Sequence, residues 1–113
     1  ARDGRLGMVS QYEVWLVALD PTIGHEIKKT RPAVVISPDE MNEKIATVLI
    51  APMTTKSHPY PSRVALRFAQ KDAWVVLDHI RCIDNARLVG RLGKLKRSDI
   101  QRVKAVIREM LVD

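Results

Sequence analysis

Thr30-Arg31-Pro32-Ala33-Val34-Val35-Ile36-Ser37-Pro38 is the stretch on which the fold of this chain turns. Ala33 to Ile36 is an unbroken apolar run rich in β-branched residues, short enough for a strand covered on both faces. Proline keeps the residue before it out of the helical region, so Arg31 enters this strand in extended backbone. A permanently charged, five-donor guanidinium therefore stands at a strand entrance. The stretch upstream, Asp20-Pro21-Thr22-Ile23-Gly24-His25-Glu26, is a polar turn-forming loop carrying a carboxylate and an imidazole. A cluster of this kind suits the binding and charge stabilisation of a phosphate.

Further strands follow on either side. Val14 to Leu19 is a short apolar run that stops at the turn signal Asp20-Pro21. Ile45 to Met53 is a third strand, with β-branched Ile45, Thr47, Val48 and Ile50. Between the Ala33–Ile36 strand and this third one, Ser37-Pro38-Asp39-Glu40 offers an N-cap, a first-turn proline and a capping glutamate for one short helical turn. After a proline-containing polar loop from Thr54 to Pro61, Val64, Leu66 and Phe68 alternate with Arg63, Ala65 and Arg67, a half-exposed strand with a basic outer face. Ala73 to Leu77 reads as a buried strand and Ile80 to Ile83 alternates again.

The period changes near the C-terminus. Ile100, Val103, Val106, Ile107, Met110 and Leu111 fall at helical spacing, with Gln101, Arg102, Lys104, Arg108 and Glu109 on the other face. Ser98 and Gln101 form a capping-box pair, and the apolar stripe is expected to pack on the sheet. The sum is an α+β, mainly β domain: a strongly bent antiparallel sheet or half-open barrel closed by a C-terminal α-helix.

At 113 residues and 46% hydrophobic, the chain suffices for one domain with a real core. Residues 1–7 are expected to be a flexible arm or an appended remnant, ahead of a single domain over 8–113. No apolar run approaches the roughly 20 residues of a bilayer span. One cysteine, Cys82, excludes an intramolecular disulfide and fits the cytoplasm; its apolar neighbours make it buried filler rather than a reactive thiol. The net charge of +6 favours polyanionic partners, and eight basic residues against one acid lie between Arg87 and Arg108.

The three histidines and one cysteine show no paired ligand spacing, so neither metal nor other cofactor is expected. The glycines form no phosphate-loop fingerprint, and no serine or cysteine has a local nucleophile signature. Polar residues at strand ends remain: Arg31, Thr54, Thr55, Asp78 and His79, with His25 and Glu26 in the first loop. Several strand ends of a small antiparallel sheet can gather at one edge. An arginine, a hydroxyl and a carboxylate collected there can cleave a phosphodiester.

Asp20-Pro21-Thr22-x-Gly24-x-Glu26, Arg31-Pro32-Ala33-Val34-Val35-x-Ser37-Pro38, Pro52-x-Thr54-Thr55-x-Ser57 and Asp78-x-Ile80-Arg81 with Ile83-Asp84 together resemble the MazF/PemK family, toxins of type II toxin–antitoxin pairs. The resemblance runs from Tyr12 to the C-terminus. It implies a small SH3-like, CcdB-like β-barrel and a metal-independent, sequence-specific endoribonuclease that inhibits growth. Such an enzyme cuts single-stranded mRNA to 2′,3′-cyclic phosphate and 5′-hydroxyl ends. It further implies a homodimer, an acidic MazE-like antitoxin and no membrane association. The family's catalytic arginine, threonine and loop glutamate fall on Arg31, Thr54 and Glu26. RNA contacts are expected from His25, Lys28, Lys29, Thr55, Lys56, Ser57, Asp78 and His79. A guanidinium is a poor base, so Glu26 is the expected proton acceptor, with Asp78 or His25 behind it. Two departures stand out: His79 occupies a position often glutamine in relatives, and Ile27-Lys28-Lys29-Thr30 lacks the glycine often found before Arg-Pro.

Two other functions compete. One is a non-catalytic CcdB-like toxin that binds a topoisomerase; it has no need of Arg31 and Thr54 together. The other is a nucleic-acid-binding barrel, which needs exposed stacking aromatics. Of the five aromatics, Trp15, Phe68 and Trp74 fall in core-like strand patterns, which weighs against it.

Overall fold

In the computed structural model, which describes residues 9–18 and 30–112, the strand β3 (Thr47–Thr54) organises the sheet. One of its edges pairs with β2 (Thr30–Val35), which in turn pairs with β1 (Glu13–Ala18). The other edge is shared: Thr47 to Ile50 pair with β6 (Arg81–Asp84), while Met53 and Thr54 pair with β5 (Lys71–Val76). A 3-10 turn over Leu77–His79 lies between those two strands. β4 (Arg63–Phe68) closes one end as a hairpin with β5, and β7 (Leu88–Lys94) closes the other against β1. Every pairing is antiparallel, in the order β4-β5-β3-β2-β1-β7 with β6 on β3. A curled, mainly β half-barrel with a C-terminal helix is thus what the alternating strands and the late helical period build.

Each face of the sheet carries its own core. Val14, Val34, Ala51, Met53 and Val75 meet Val103 of the helix α2 (Arg97–Ile107) on one face. Val17, Ala33, Val35, Val48, Ile50 and Ile83 pack on the other. The central strands are apolar on both sides for this reason. Arg91 crosses from β7 to Glu13 at 2.8 Å, and Trp15 and the Ser10 N–H bond the same carboxylate. Burial raises the Glu13 pKa, but these hydrogen bonds and the Arg91 charge outweigh it and leave the pKa lowered.

Several local expectations are corrected. β7 was not foreseen: Gly90 and Gly93 weaken its strand signature, and Val89 and Leu92 point to solvent. Ser98 does not cap α2, because the helix already begins at Arg97 and its N-cap, Lys96, makes no side-chain bond. Ser37 does not cap the short helix α1 (Asp39–Lys44) either. Its buried hydroxyl donates to Asn42 Oδ1 at 2.6 Å and accepts the Leu49 N–H, tying α1 to β3. The apolar stripe of α2 runs out before its end, where a π turn over Arg108–Val112 leaves Met110 and Leu111 exposed. Cys82 is exposed, not buried, since among the described residues β6 pairs with β3 on one edge and has no strand on the other. The expected arm, residues 1–7, lies outside the described residues. Among those described, no helix is long and apolar enough to cross a membrane.

Candidate active site

The register of the central strands brings the candidate pair together. Ala33 of β2 stands opposite Pro52 of β3; carried two residues further, the same register sets Arg31 opposite Thr54. Residues paired across a ladder share a face. On the far side of β2, Arg31 pairs with Val17. Arg31 is exposed and Thr54 partly exposed. They line one cleft of about 130 Å³ with Pro32, Met53, Thr55 and Ala73, where β2 begins and β3 ends. Pro32 holds the Arg31 backbone extended, and the apolar rows behind fix both strands. The Thr54 hydroxyl donates to the Lys56 carbonyl at 3.1 Å and accepts the Lys56 N–H at 3.3 Å. It closes the turn out of β3 and is held at the cleft wall as a result. An adjoining pocket of about 290 Å³ shares Pro32, Met53, Thr55 and Ala73 with this cleft and adds Phe68 and Leu92.

A second polar group surrounds the start of β4. Arg63 clamps Asp78 with Nε and Nη2 at 3.1 Å each and bonds Ser57 Oγ through Nη1 at 2.9 Å. Its guanidinium lies 4.9 Å from the Tyr60 ring centroid. Ser62 Oγ donates to the same carboxylate. The Arg63 hydrogen bonds, followed by that of Ser62, hold the Asp78 carboxyl well below the ordinary carboxylate range. Asp78 therefore keeps its charge and resists protonation, which makes it a poor general base. The network ties the loop that follows Thr54, through Ser57 and Tyr60, to the turn at Asp78. His79 is exposed, its Nε2 at 3.6 Å from Asp78. Lys56 is exposed and Ser57 partly so. Among the described residues, no group of three or more His, Cys, Asp or Glu is gathered as a metal site. Glu26, His25, Lys28 and Lys29 lie outside the described residues.

The model of the PemK-like, MazF-like toxins of type II toxin–antitoxin systems matches residues 10–111. The chain belongs to that family. It is 35% identical over 111 residues to the endoribonuclease toxin MazF of Escherichia coli K12, covering 92% of this chain and 99% of the relative. Endoribonuclease MazF9 of Mycobacterium tuberculosis is 28% identical, over 89% and 94% of the two chains. Among solved structures, MazF of Deinococcus radiodurans superposes with a TM-score of 0.75 at 25% identity, covering 91% of this chain and 96% of that one. A mycobacterial endoribonuclease solved with its cognate antitoxin reaches 0.76 at 19% identity, over 91% and 94%, a likeness of fold.

Two residues near this toxin's candidate site escaped the sequence reading. Arg63 was taken as part of a basic strand face rather than as the clamp on Asp78. Trp74 was assigned to the core, yet among the described residues it packs into neither. The period-two signal was available: Trp74 shares its side of β5 with Asp72, while Ala73 and Val75 take the other.

Proposed function

We propose that this toxin is an endoribonuclease in which the substrate's own 2′-hydroxyl attacks the adjacent phosphorus. The P–O5′ bond breaks, leaving a 2′,3′-cyclic phosphate, and the departing oxygen takes a proton from water to become a 5′-hydroxyl. Arg31 supports the charge that grows on the phosphoryl oxygens, and Thr54 adds a hydroxyl hydrogen bond. Glu26 accepts the 2′-hydroxyl proton, with His25 as second choice, since the Arg63-bound Asp78 has too low a proton affinity. The observation that carries the reading is the shared cleft of Arg31 and Thr54. Relatives named as endoribonucleases support the same reaction class over the topoisomerase alternative.

The substrate is single-stranded RNA, with Thr55, Lys56, Ser57 and His79 beside the bound strand and Lys28, Lys29 and His25 contributing from the first loop. DNA lacks the attacking hydroxyl and is spared. The protein acts in the cytoplasm as a homodimer, held in check by an acidic MazE-like antitoxin attracted by its +6 charge. Solved MazE–MazF assemblies from Deinococcus radiodurans support an antitoxin partner. End-labelled RNA incubated with the protein in EDTA is expected to yield discrete fragments ending in cyclic phosphate. The Arg31→Ala variant should be folded and inert. Cutting by that variant near the wild-type rate refutes the assignment.

A further inference from the structure

Trp74 stands beside the Arg31–Thr54 pair and has no part in the chemistry above. It is the β5 residue directly opposite Thr54, and on its other side it faces Ala65 of β4. Cross-strand partners share a face, with Cβ atoms about 4.5–5.5 Å apart. The indole and the Thr54 hydroxyl therefore leave the sheet side by side, with Arg31 one strand further along the same row. The methyl of Ala65 leaves the space next to the ring open. An open cleft of about 520 Å³ results, lined by Ala65, Leu66, Arg67, Asp72, Ala73 and Trp74. One rung further out, Arg67 and Asp72 face each other and pair at 2.9 Å, both well exposed.

We infer that Trp74 is the stacking platform for the nucleobase adjoining the cleaved linkage, with the Arg67–Asp72 pair at that base's edge. The inference rests on the endoribonuclease reading and gives the same site a base subsite. A partly exposed indole offers any base a π-face. Arg67 brings donors and Asp72 acceptors, so edge selectivity comes from the rim rather than from the ring. A base held here is one strand spacing, about 4.8 Å, from Thr54 and two from Arg31 along the same row. Trp74 binds substrate and takes no part in bond making.

The test uses the full-length protein and short 2′-O-methyl oligoribonucleotides, in which the attacking hydroxyl is blocked. Titration should quench tryptophan fluorescence saturably. In Trp74→Phe the quench should vanish while affinity stays within about threefold, since phenylalanine still stacks. In Trp74→Ala affinity should fall on the order of tenfold. On cleavable RNA, Trp74→Ala should raise KM by a similar factor and leave kcat nearly unchanged. Undiminished quenching in Trp74→Phe, or unaltered affinity and KM in Trp74→Ala, overturns the inference while RNA cutting by the wild type leaves the parent reading standing. A wild type that cuts no RNA removes both.

Discussion

The hairpin between β4 and β5 is built against its own sequence, and relieving it should stabilise the protein. Phe68 pairs with Lys71, so Ala69 and Gln70 are the whole loop. Both have positive φ, 52° and 68°, as a type I′ turn requires. Asn-Gly is the usual solution, because a side-chain-bearing residue in the left-handed region costs about 1–2 kcal/mol. Gln70→Gly removes that cost but loses roughly 0.5–1 kcal/mol to the freer unfolded chain. A net gain of about 0.5–1 kcal/mol remains, and Ala69→Asn should add a few tenths more. For a domain near this size, 1 kcal/mol moves Tm by about 4–8 °C. The Gln70 carbonyl accepts Arg67 Nη2 at 3.0 Å, a main-chain contact that the substitution keeps. Urea and thermal unfolding read the effect, with exposed Glu40 of α1 as control: Glu40→Gly should cost up to about 1 kcal/mol. If Gln70→Gly destabilises as Glu40→Gly does, the turn is not strained and the argument from its φ values fails.

Other consequences are as direct. Gly93 has φ 155°, and an added Cβ would lie 3.0 Å from Phe68 Cζ, so Gly93→Ala should cost roughly 1–3 kcal/mol in urea unfolding. Asp78 and Glu13 both have pKa values below those of unfolded carboxylates, about 3.9 and 4.3. Their stabilisation is complete above those unfolded values and is lost as pH falls through the lower folded ones; stability curves of Asp78→Asn and Glu13→Gln should be flatter than wild type below about pH 4. Thr54→Ala removes the hydrogen bond proposed to the reacting phosphate and should lower single-turnover RNA cleavage about 10²-fold, while Thr54→Ser, which keeps the hydroxyl, should retain most of it.

The sequence was legible where one signal dominated and silent where two elements had to meet. Ala33 to Val35 and Val14 to Ala18 announce themselves because the sheet carries a core on each face. The alternation from Arg63 to Phe68 survives because β4 is covered on one face only. β7 leaves no such trace: it holds its place through Arg91 on Glu13 and through a β1 register broken twice, contacts made to residues almost eighty positions away. Arg31 and Thr54 could be marked separately, from a proline and from a strand end. Their common cleft depends on the β2–β3 register, which no local pattern records. The same is true of Asp78, visible as a strand-end acid, whose proton affinity is set by an arginine fifteen residues earlier.

The division of labour along β3 follows from that pairing. Its first half is paired along one edge by β6, β2 joins the other edge from Ile50 onward, and Val48 and Ile50 are completely buried. Its last two residues exchange β6 for β5, and with that change comes a change of side chain, from Ile50 to Thr54 on one face. A rigid apolar segment thus delivers a hydroxyl to the sheet's end, where Arg31 arrives on β2 and Trp74 on β5. Function at a strand terminus gains from this: the backbone is positioned by buried neighbours two residues back, while the side chain stays open to a ligand. Loosening the buried half should therefore reach the chemistry. Ile50→Ala opens a cavity beneath the sheet, far enough from the cleft to touch no substrate, and should cost 2–5 kcal/mol of stability. Under conditions where the variant remains folded, its RNA cleavage should fall more than its RNA affinity, because a displaced Thr54 weakens the bond made in the transition state. Equal loss of both, or neither, would show that β3 holds the fold without aiming the hydroxyl.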